Sequence, residues 1–374
     1  MLYPIGIQSF EEIRQNGYVY VDKTERIYDL VTTGKYYFLS RPRRFGKSLL
    51  ISTLEAYFRG KKDLFEGLAM AELEKDWVEY PVLHLDLNTQ KYDTVQALDS
   101  ILNDVIGQWE SVYGSSSLEV DLPLRFQGVI RRAKEKTGRN VVILVDEYDK
   151  PVLEAVGDQS LQDEYRKTLK SIYGALKSMD SCIKFALLTG VARFSKVSVF
   201  SDLNNLNDIS LSQRFQDICG ISGAELRNYF SESVASLAQE NEISVEDCYG
   251  QLAMMYDGYH FCENGIGIYN PFSLLKAFYS NKFMEYWFET GTPSFLVEVM
   301  RATDFDITGL SEEQADATML GDMEYAKDNP VPLLYQSGYL TIKGYDRESG
   351  IYTLGFPNLE VKHGFLTYLL NHLD

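Results

Sequence analysis

The residues of this chain best placed to do chemistry are Gly46, Lys47 and Ser48. They close the stretch Tyr36 to Leu50, which reads as a short apolar strand, a tight turn and the first turn of a helix. A phosphate-binding loop of the pattern G-x-x-x-x-G-K-[ST] needs these types in this order. Glycine lets the main chain approach a phosphate, lysine reaches the β- and γ-phosphates, and serine offers a hydroxyl to Mg²⁺. The opening helix turn adds free N–H groups for the anion. The first glycine of the pattern is replaced here by Arg41. Gly-Lys-Ser alone also fits an ordinary loop before a helix.

A second element narrows the reading. Val141 to Val145 is a continuous apolar run that ends in Asp146 and Glu147. Such a run reads as a strand buried on both faces of a parallel sheet. Carboxylates at its C-terminal end lie where ligands bind in open α/β sheets. In a Walker B arrangement Asp146 holds Mg²⁺ through water and Glu147 polarises the attacking water. The bland alternative is a core strand tipped by two solvated acids; with the upstream loop, nucleotide binding is the stronger reading.

The segments Arg41 to Leu49 (RPRRFGKSL) and Val145 to Pro151 (VDEYDKP) resemble the bacterial AAA-ATPase-like family. So do Thr189 to Ser195, Tyr256 to Phe261, Tyr269 to Ser273 and Tyr20 to Thr24. In that family arginine at the place of Arg41 is the usual form. The resemblance implies an α/β P-loop NTPase with a mainly parallel sheet, of the AAA-like type. An additional strand, Ile183 to Gly190, should lie between the P-loop and Walker B strands, followed by an α-helical lid and a winged-helix-like module. It implies ATP and Mg²⁺, with Arg43, Arg44, Phe45, Gly46, Lys47, Ser48 and Leu49 around the phosphates, and Ser48 and Asp146 on the metal. Lys47 and Glu147 would act in hydrolysis, Thr189 as a sensor beside the γ-phosphate, and Arg193 as a stabiliser of transition-state charge. Tyr20, Asp22 and Lys23 would line the adenine. Many members carry a further nuclease-like domain of the PD-(D/E)XK kind. Residues to Asp374 leave no room for one, so no nuclease activity is expected.

Composition bounds the function classes. The chain has 374 residues, 45% hydrophobic and 24% charged, enough for a large core. Its formal net charge of −18 disfavours adsorption to nucleic acid or anionic membrane. Four scattered cysteines without a C-x-x-C pair argue against a disulfide or zinc framework. No basic leader with an apolar core and no apolar run near the ~20 residues of a membrane span is seen, so a cytoplasmic protein is expected. Partners beyond ATP are expected to be an unidentified protein or a second copy of the chain; nucleic acid, as for the ATPase component of a nucleic-acid processing system, stays open without support from charge. GTP is not excluded, although no Asn-Lys-x-Asp motif is present.

The elements that must position these residues follow from periodicity and punctuation. Phe10 to Ile13 begins a short helix and Tyr18 to Val21 alternates like a small strand. Leu49, Leu50, Ile51, Leu54 and Phe58 recur at helical spacing, closed by Gly60. Pro81 to Leu87 is a strand whose Asp86 serves as a turn cap, and Val95 to Tyr113 and Leu122 to Lys136 are helices. Arg131, Arg132, Lys134, Lys136 and Arg139 crowd that last helix end. Without interleaved aromatics they read as a solvated C-terminus rather than a nucleic-acid patch. Leu161 to Met179 is a helix, and a final strand is expected near Ile209 to Leu211. Three domains are expected: a core over 1–222, a helical lid over 223–322, and a module over 323–374. In the second, Ala224 to Leu237 and Val245 to Met255 read as helices, and Asn270 caps a third that starts at Pro271. Tyr259 and His260 read as core contacts rather than catalytic groups. In the third, a helix precedes a hairpin turning at Arg347 to Gly350. From Val331 onward three cations face four acids, a poor balance for reading DNA.

Overall fold

The computed structural model describes residues 1–89, 91–193, 205–287, 310, 313–321 and 329–372. They form two compact units. One comprises 24–40 and 51–209; the other comprises 1–23, 41–50 and 210–374.

The first unit is built on a parallel sheet of β1 (Tyr36–Ser40), β2 (Val82–Asp86), β3 (Val141–Asp146), β4 (Ile183–Gly190) and β5 (Asn207–Asp208). Its order is β2-β3-β4-β1-β5, so β4 lies between the P-loop strand and the Walker B strand, as expected. All of β3 and all of β4 except Lys184 is buried, which is why Val141 to Val145 and Phe185 to Leu188 read as continuous apolar runs rather than alternating ones. Helices Val95–Tyr113, Leu122–Thr137 and Gln159–Ser178 pack together in this unit. Their ends are marked in the sequence. Asp121 and Asp158 accept from the N–H groups of Leu124 and Leu161, and Gly138 closes the middle helix in a left-handed conformation. The final strand comes slightly earlier than expected: β5 is Asn207–Asp208, and Ile209 follows it with one amide bond to Phe38 O.

In the second unit, helices Gly223–Tyr229, Ser231–Glu240, Val245–Tyr256 and Pro271–Ser280 surround a core that includes Phe230, Leu252, Tyr256, Leu274 and Phe278. The single helix expected over Ala224 to Leu237 is two. Phe230 leaves helical geometry (φ −125°, ψ 16°) and its fully buried ring stacks on Phe278 at 5.4 Å, so the break aims an aromatic into the core. The strand expected at Tyr18 to Val21 is absent. Its alternation is real, since Val19 and Val21 both pack on this core. Among the described residues no strand pairs with the segment; Val19 N–H donates to Leu2 O.

The C-terminal part holds β8 (Glu313–Asp316), β9 (Thr341–Asp346) and β10 (Ile351–Gly355) in the order β8-β10-β9, with helix Val331–Ser337 before β9. β8 carries no apolar alternation and lies before residue 323, so this sheet starts upstream of the expected boundary. A short antiparallel pair, β6 (Ile221–Ser222) with β7 (Ile268–Tyr269), precedes the Asn270 cap. Asn270 Oδ1 accepts from the N–H groups of Phe272 and Ser273, as its place before Pro271 suggested. Glu360, in the first turn of helix Leu359–His372, is buried and accepts from Ser273 Oγ and from Trp287 N–H, both at 2.8 Å. Burial pushes its carboxyl up to about 7 against the pull of those donors.

Candidate nucleotide site

Two groups of expected site residues are described, each within its own unit. The first is the loop Arg41 to Lys47. β1 delivers the chain to it, and helix Lys47–Phe58 leaves it. Gly46 takes φ +91°, and a side chain there would meet nothing within 4 Å, so the glycine answers to the backbone angle and not to crowding. Arg44 is also left-handed, at φ +70°, a conformation that costs a non-glycine residue about 1 kcal/mol. Its guanidinium lies over the ring of Phe272, 4.4 Å from the centroid, and Arg43 is exposed.

Arg41 explains how a loop can dispense with its first glycine. Its side chain is 1% exposed, donates to Ser210 O at 2.8 Å and Phe215 O at 3.3 Å, and stacks on Phe261 at 4.0 Å. It is a staple for the loop, not a phosphate ligand. Phe45 behaves similarly: its ring is fully buried edge-on to Tyr259 and Phe261, so any contact with nucleotide would come from its main chain. Tyr259 is thereby an aromatic core contact. Lys47 Nζ donates to Arg41 O at 3.0 Å and to Pro42 O at 3.3 Å. Ser48 and Leu49 are half-buried in the first helical turn.

The second group gathers at the C-terminal edge of the sheet. Parallel register sets Asp86 beside Asp146, Val145 beside Leu188, and Leu39 beside Thr189. Asp146 is 4% exposed, and its Oδ1 accepts from Thr189 Oγ1 at 2.6 Å and from Glu147 N–H at 3.1 Å. Glu147 is left-handed, with φ +53°. The turn beyond it is tied to the end of β4. Tyr148 N–H donates to Thr189 O at 3.0 Å and its hydroxyl donates to Ala192 O at 2.8 Å. Asp149, fully buried, accepts from the N–H groups of both Val191 and Ala192. Arg193 pairs with Asp208 at 2.5 Å. Asp86 caps its own turn by accepting from Asn88 N–H.

Helix Lys47–Phe58 also carries Glu55, which pairs with His84 on β2 at 2.9 Å. Burial opposes ionisation of both. The mutual hydrogen bond and charge still prevail, with Arg59 adding to the effect on Glu55, and hold its carboxyl down to about 2 while raising His84.

The residues expected at the adenine have partners within their own unit. Tyr20 is buried edge-on to Phe10, Asp22 N–H donates to Tyr229 Oη, and Lys23 Nζ pairs with Glu225 at 2.6 Å. In the basic cluster, Arg132 grips Glu119, and Lys134 and Lys136 donate to Ser181 O and Val112 O, as a folded helix end does. Sequence reasoning passed over Tyr148, Asp149 and Gly190. The signal was a glycine directly after Thr189, at the end of a strand whose middle, Phe185 to Leu188, is apolar.

Among known proteins, the family model described as predicted AAA-ATPase matches residues 4–200. An uncharacterised protein from the vnfD 5′ region of Azotobacter chroococcum mcd 1 is 38% identical over 363 residues, covering 96% of this chain and 68% of that protein. The solved structure of the Aeropyrum pernix ORC2 protein, in ADPNP–ADP complexes, aligns over 93% of both chains at 10% identity. Its TM-score of 0.23 is too low to compare the two element by element. Among the described residues no helix is long and apolar enough to cross a membrane.

Proposed function

The chain belongs to the predicted AAA-ATPase family, and from that premise we propose that it is a Mg²⁺-dependent ATPase. The observation that carries this reading is the edge where Thr189 donates to Asp146 and the adjoining Glu147 is held in a left-handed turn. A pure binder has no need of a strained acid beside the metal-binding carboxylate.

Lys47 would exchange the carbonyls of Arg41 and Pro42 for the β- and γ-phosphates. Ser48 and Asp146 would be the donors for Mg²⁺, as the family resemblance implies. A hydroxyl and a carboxylate are hard oxygen ligands, and Mg²⁺ prefers one or two of these together with substrate phosphates and water. The described residues hold no group of three or more His, Cys, Asp or Glu of the kind a dedicated metal cage needs. Bound Mg²⁺ supplies neutralisation of charge on the transferring phosphoryl group. Thr189 holds the Asp146 carboxylate in place. Glu147 orients the attacking water and accepts its proton, and Arg193 would leave Asp208 to meet charge developing on phosphate. The helices of 223–280 would serve as the lid and the β8–β10 region as a winged-helix-like module, moved by turnover. A cytoplasmic location fits this reading.

A second reading, a nucleotide-bound switch with negligible turnover, is favoured by Arg41, whose buried staple stiffens the loop where glycine normally gives it freedom. One experiment separates the two: ATP binding and steady-state hydrolysis with Mg²⁺ for wild type, Lys47→Ala and Glu147→Gln. Hydrolysis by the wild type, loss of binding in Lys47→Ala and binding with a loss of turnover of about a hundredfold or more in Glu147→Gln is the expected result. Binding without turnover in the wild type favours the switch, and equal binding by all three overturns the phosphate-loop assignment.

A further inference from the structure

We propose that Tyr148 and Asp149 are positioning residues for Glu147, clamping its left-handed turn onto the exit of β4; this rests on the hydrolytic reading above. Glu147 is flanked on both sides by ties to one short segment. Before it, Asp146 accepts from Thr189 Oγ1. After it, Tyr148 bonds to Thr189 O and Ala192 O, and Asp149 takes the amides of Val191 and Ala192. A carboxylate accepting two main-chain amides in a buried setting makes charge-assisted bonds, the strong class. Tyr148 is itself fixed from the other side, with Phe38 of β1 edge-on at 5.2 Å.

Gly190 is the condition for this closeness. A Cβ there would stand 2.5 Å from Asp149 Oδ1 and 2.6 Å from Tyr148 Cδ1, so no other residue lets the turn sit down on the strand. φ at Glu147 is unfavourable for a residue with a side chain and must be imposed by its surroundings. The clamp is the surrounding that imposes it. It makes the carboxylate of Glu147 and the hydroxyl of Thr189 parts of one rigid assembly. A displacement of Val191 or Ala192, directly before Arg193, would be passed to Glu147 through Asp149.

A merely structural anchor would weaken the fold and nucleotide binding, and its effect would add to that of Glu147. A positioning role acts through Glu147 and disappears without it. The test uses Tyr148→Phe, which deletes one hydroxyl, and Asp149→Asn, which keeps the shape and one acceptor. Each is made in the wild type and in Glu147→Gln, and kcat and the Kd for Mg-ATP are measured for all six proteins. The expected result is a fall in kcat of about three- to tenfold for Tyr148→Phe and about ten- to a hundredfold for Asp149→Asn. The Kd should stay within about twofold, and neither substitution should lower the residual rate of Glu147→Gln. Wild-type kcat in both single variants, a Kd that weakens as far as kcat falls, or full additivity with Glu147→Gln overturns the positioning role. Equal turnover by wild type and Glu147→Gln is a different failure: it removes Glu147 from the reaction, and the hydrolytic reading and the clamp fall together.

Discussion

The loop Arg41 to Lys47 and the turn Asp146 to Asp149 meet the same problem with opposite charges. Each holds a non-glycine residue at positive φ, Arg44 in one and Glu147 in the other. The loop is secured by a buried cation: Arg41 donates to two carbonyls and stacks on Phe261. The turn is secured by a buried anion that accepts from two amides. The choice follows from which backbone groups each neighbourhood leaves over. Ser210 and Phe215 present oxygens, which ask for a donor; Val191 and Ala192, leaving β4, present N–H groups, which ask for an acceptor. Loop and turn are therefore not exchangeable devices, and each fails in its own way.

The largest effect is expected at the loop. Arg41→Ala leaves two carbonyls without their donor and removes the cation from the Phe261 face. We expect a loss of about 2–4 kcal/mol in stability, together with loss of ATP binding. Arg41→Lys restores the charge but not the two-pronged geometry, so it should recover less than half of the loss. Chemical denaturation and nucleotide titration of both variants check this. Full recovery by lysine would show that charge alone matters and would erase the contrast drawn here.

At the turn the corresponding break is Gly190→Ala. Its methyl would press on Asp149 and Tyr148, costing about 1–3 kcal/mol as small-to-large changes in packed sites do. Because the displaced groups flank Glu147, turnover should fall further than stability explains while ATP binding persists. Parallel measurement of denaturation midpoint, Kd and kcat distinguishes this from Arg41→Ala, where binding goes first.

Much of this arrangement was legible in the sequence. Strands β3 and β4 could be found because burial on both faces leaves apolar runs at their centres, Val141 to Val145 and Phe185 to Leu188. The helix start at Pro271 could be found because Asn270 caps it by local hydrogen bonds that need no tertiary context; the caps Asp121 and Asp158 went unread, and the helix expected from Leu161 begins at Gln159. The turn that carries Gly46, Lys47 and Ser48 was legible because an apolar strand, a glycine and a helical run mark it in order. The clamp was not. Tyr148 and Asp149 lie in the segment VDEYDKP, but the clamp arises from parallel pairing of β3 with β4, through contacts 42 to 44 residues apart that no local pattern encodes. β8 was missed because Glu313 to Asp316 lacks apolar alternation and owes its strand conformation to β10. The break at Phe230 is likewise a demand of the core, made against a sequence that reads as continuous helix.

The smallest effects concern pH, and they contrast the two units again. In the sheet unit Glu55 is held down to about 2 by His84 and Arg59. A depressed carboxyl stabilises the fold above its unfolded value of about 4.5. That contribution is lost as pH falls toward 2, and Glu55→Gln should flatten the acid limb of the stability curve. Glu360 in the other unit has the opposite sign, since burial raises it to about 7. Between about 4.5 and 7 the folded protein keeps a proton that the unfolded chain has released, so stability falls as pH rises through this window. Gln at 360 keeps an acceptor for Ser273 Oγ and Trp287 N–H and has no charge to bury. Thermal unfolding of Glu360→Gln should therefore match wild type near pH 5 and exceed it at pH 8 by about 1–2 kcal/mol. A wild-type slope that survives the substitution would place the pH-sensitive group elsewhere. A slope that vanishes would make Glu360 the counterpart of Glu55: an acid that its unit holds against ionisation where the other holds its acid charged.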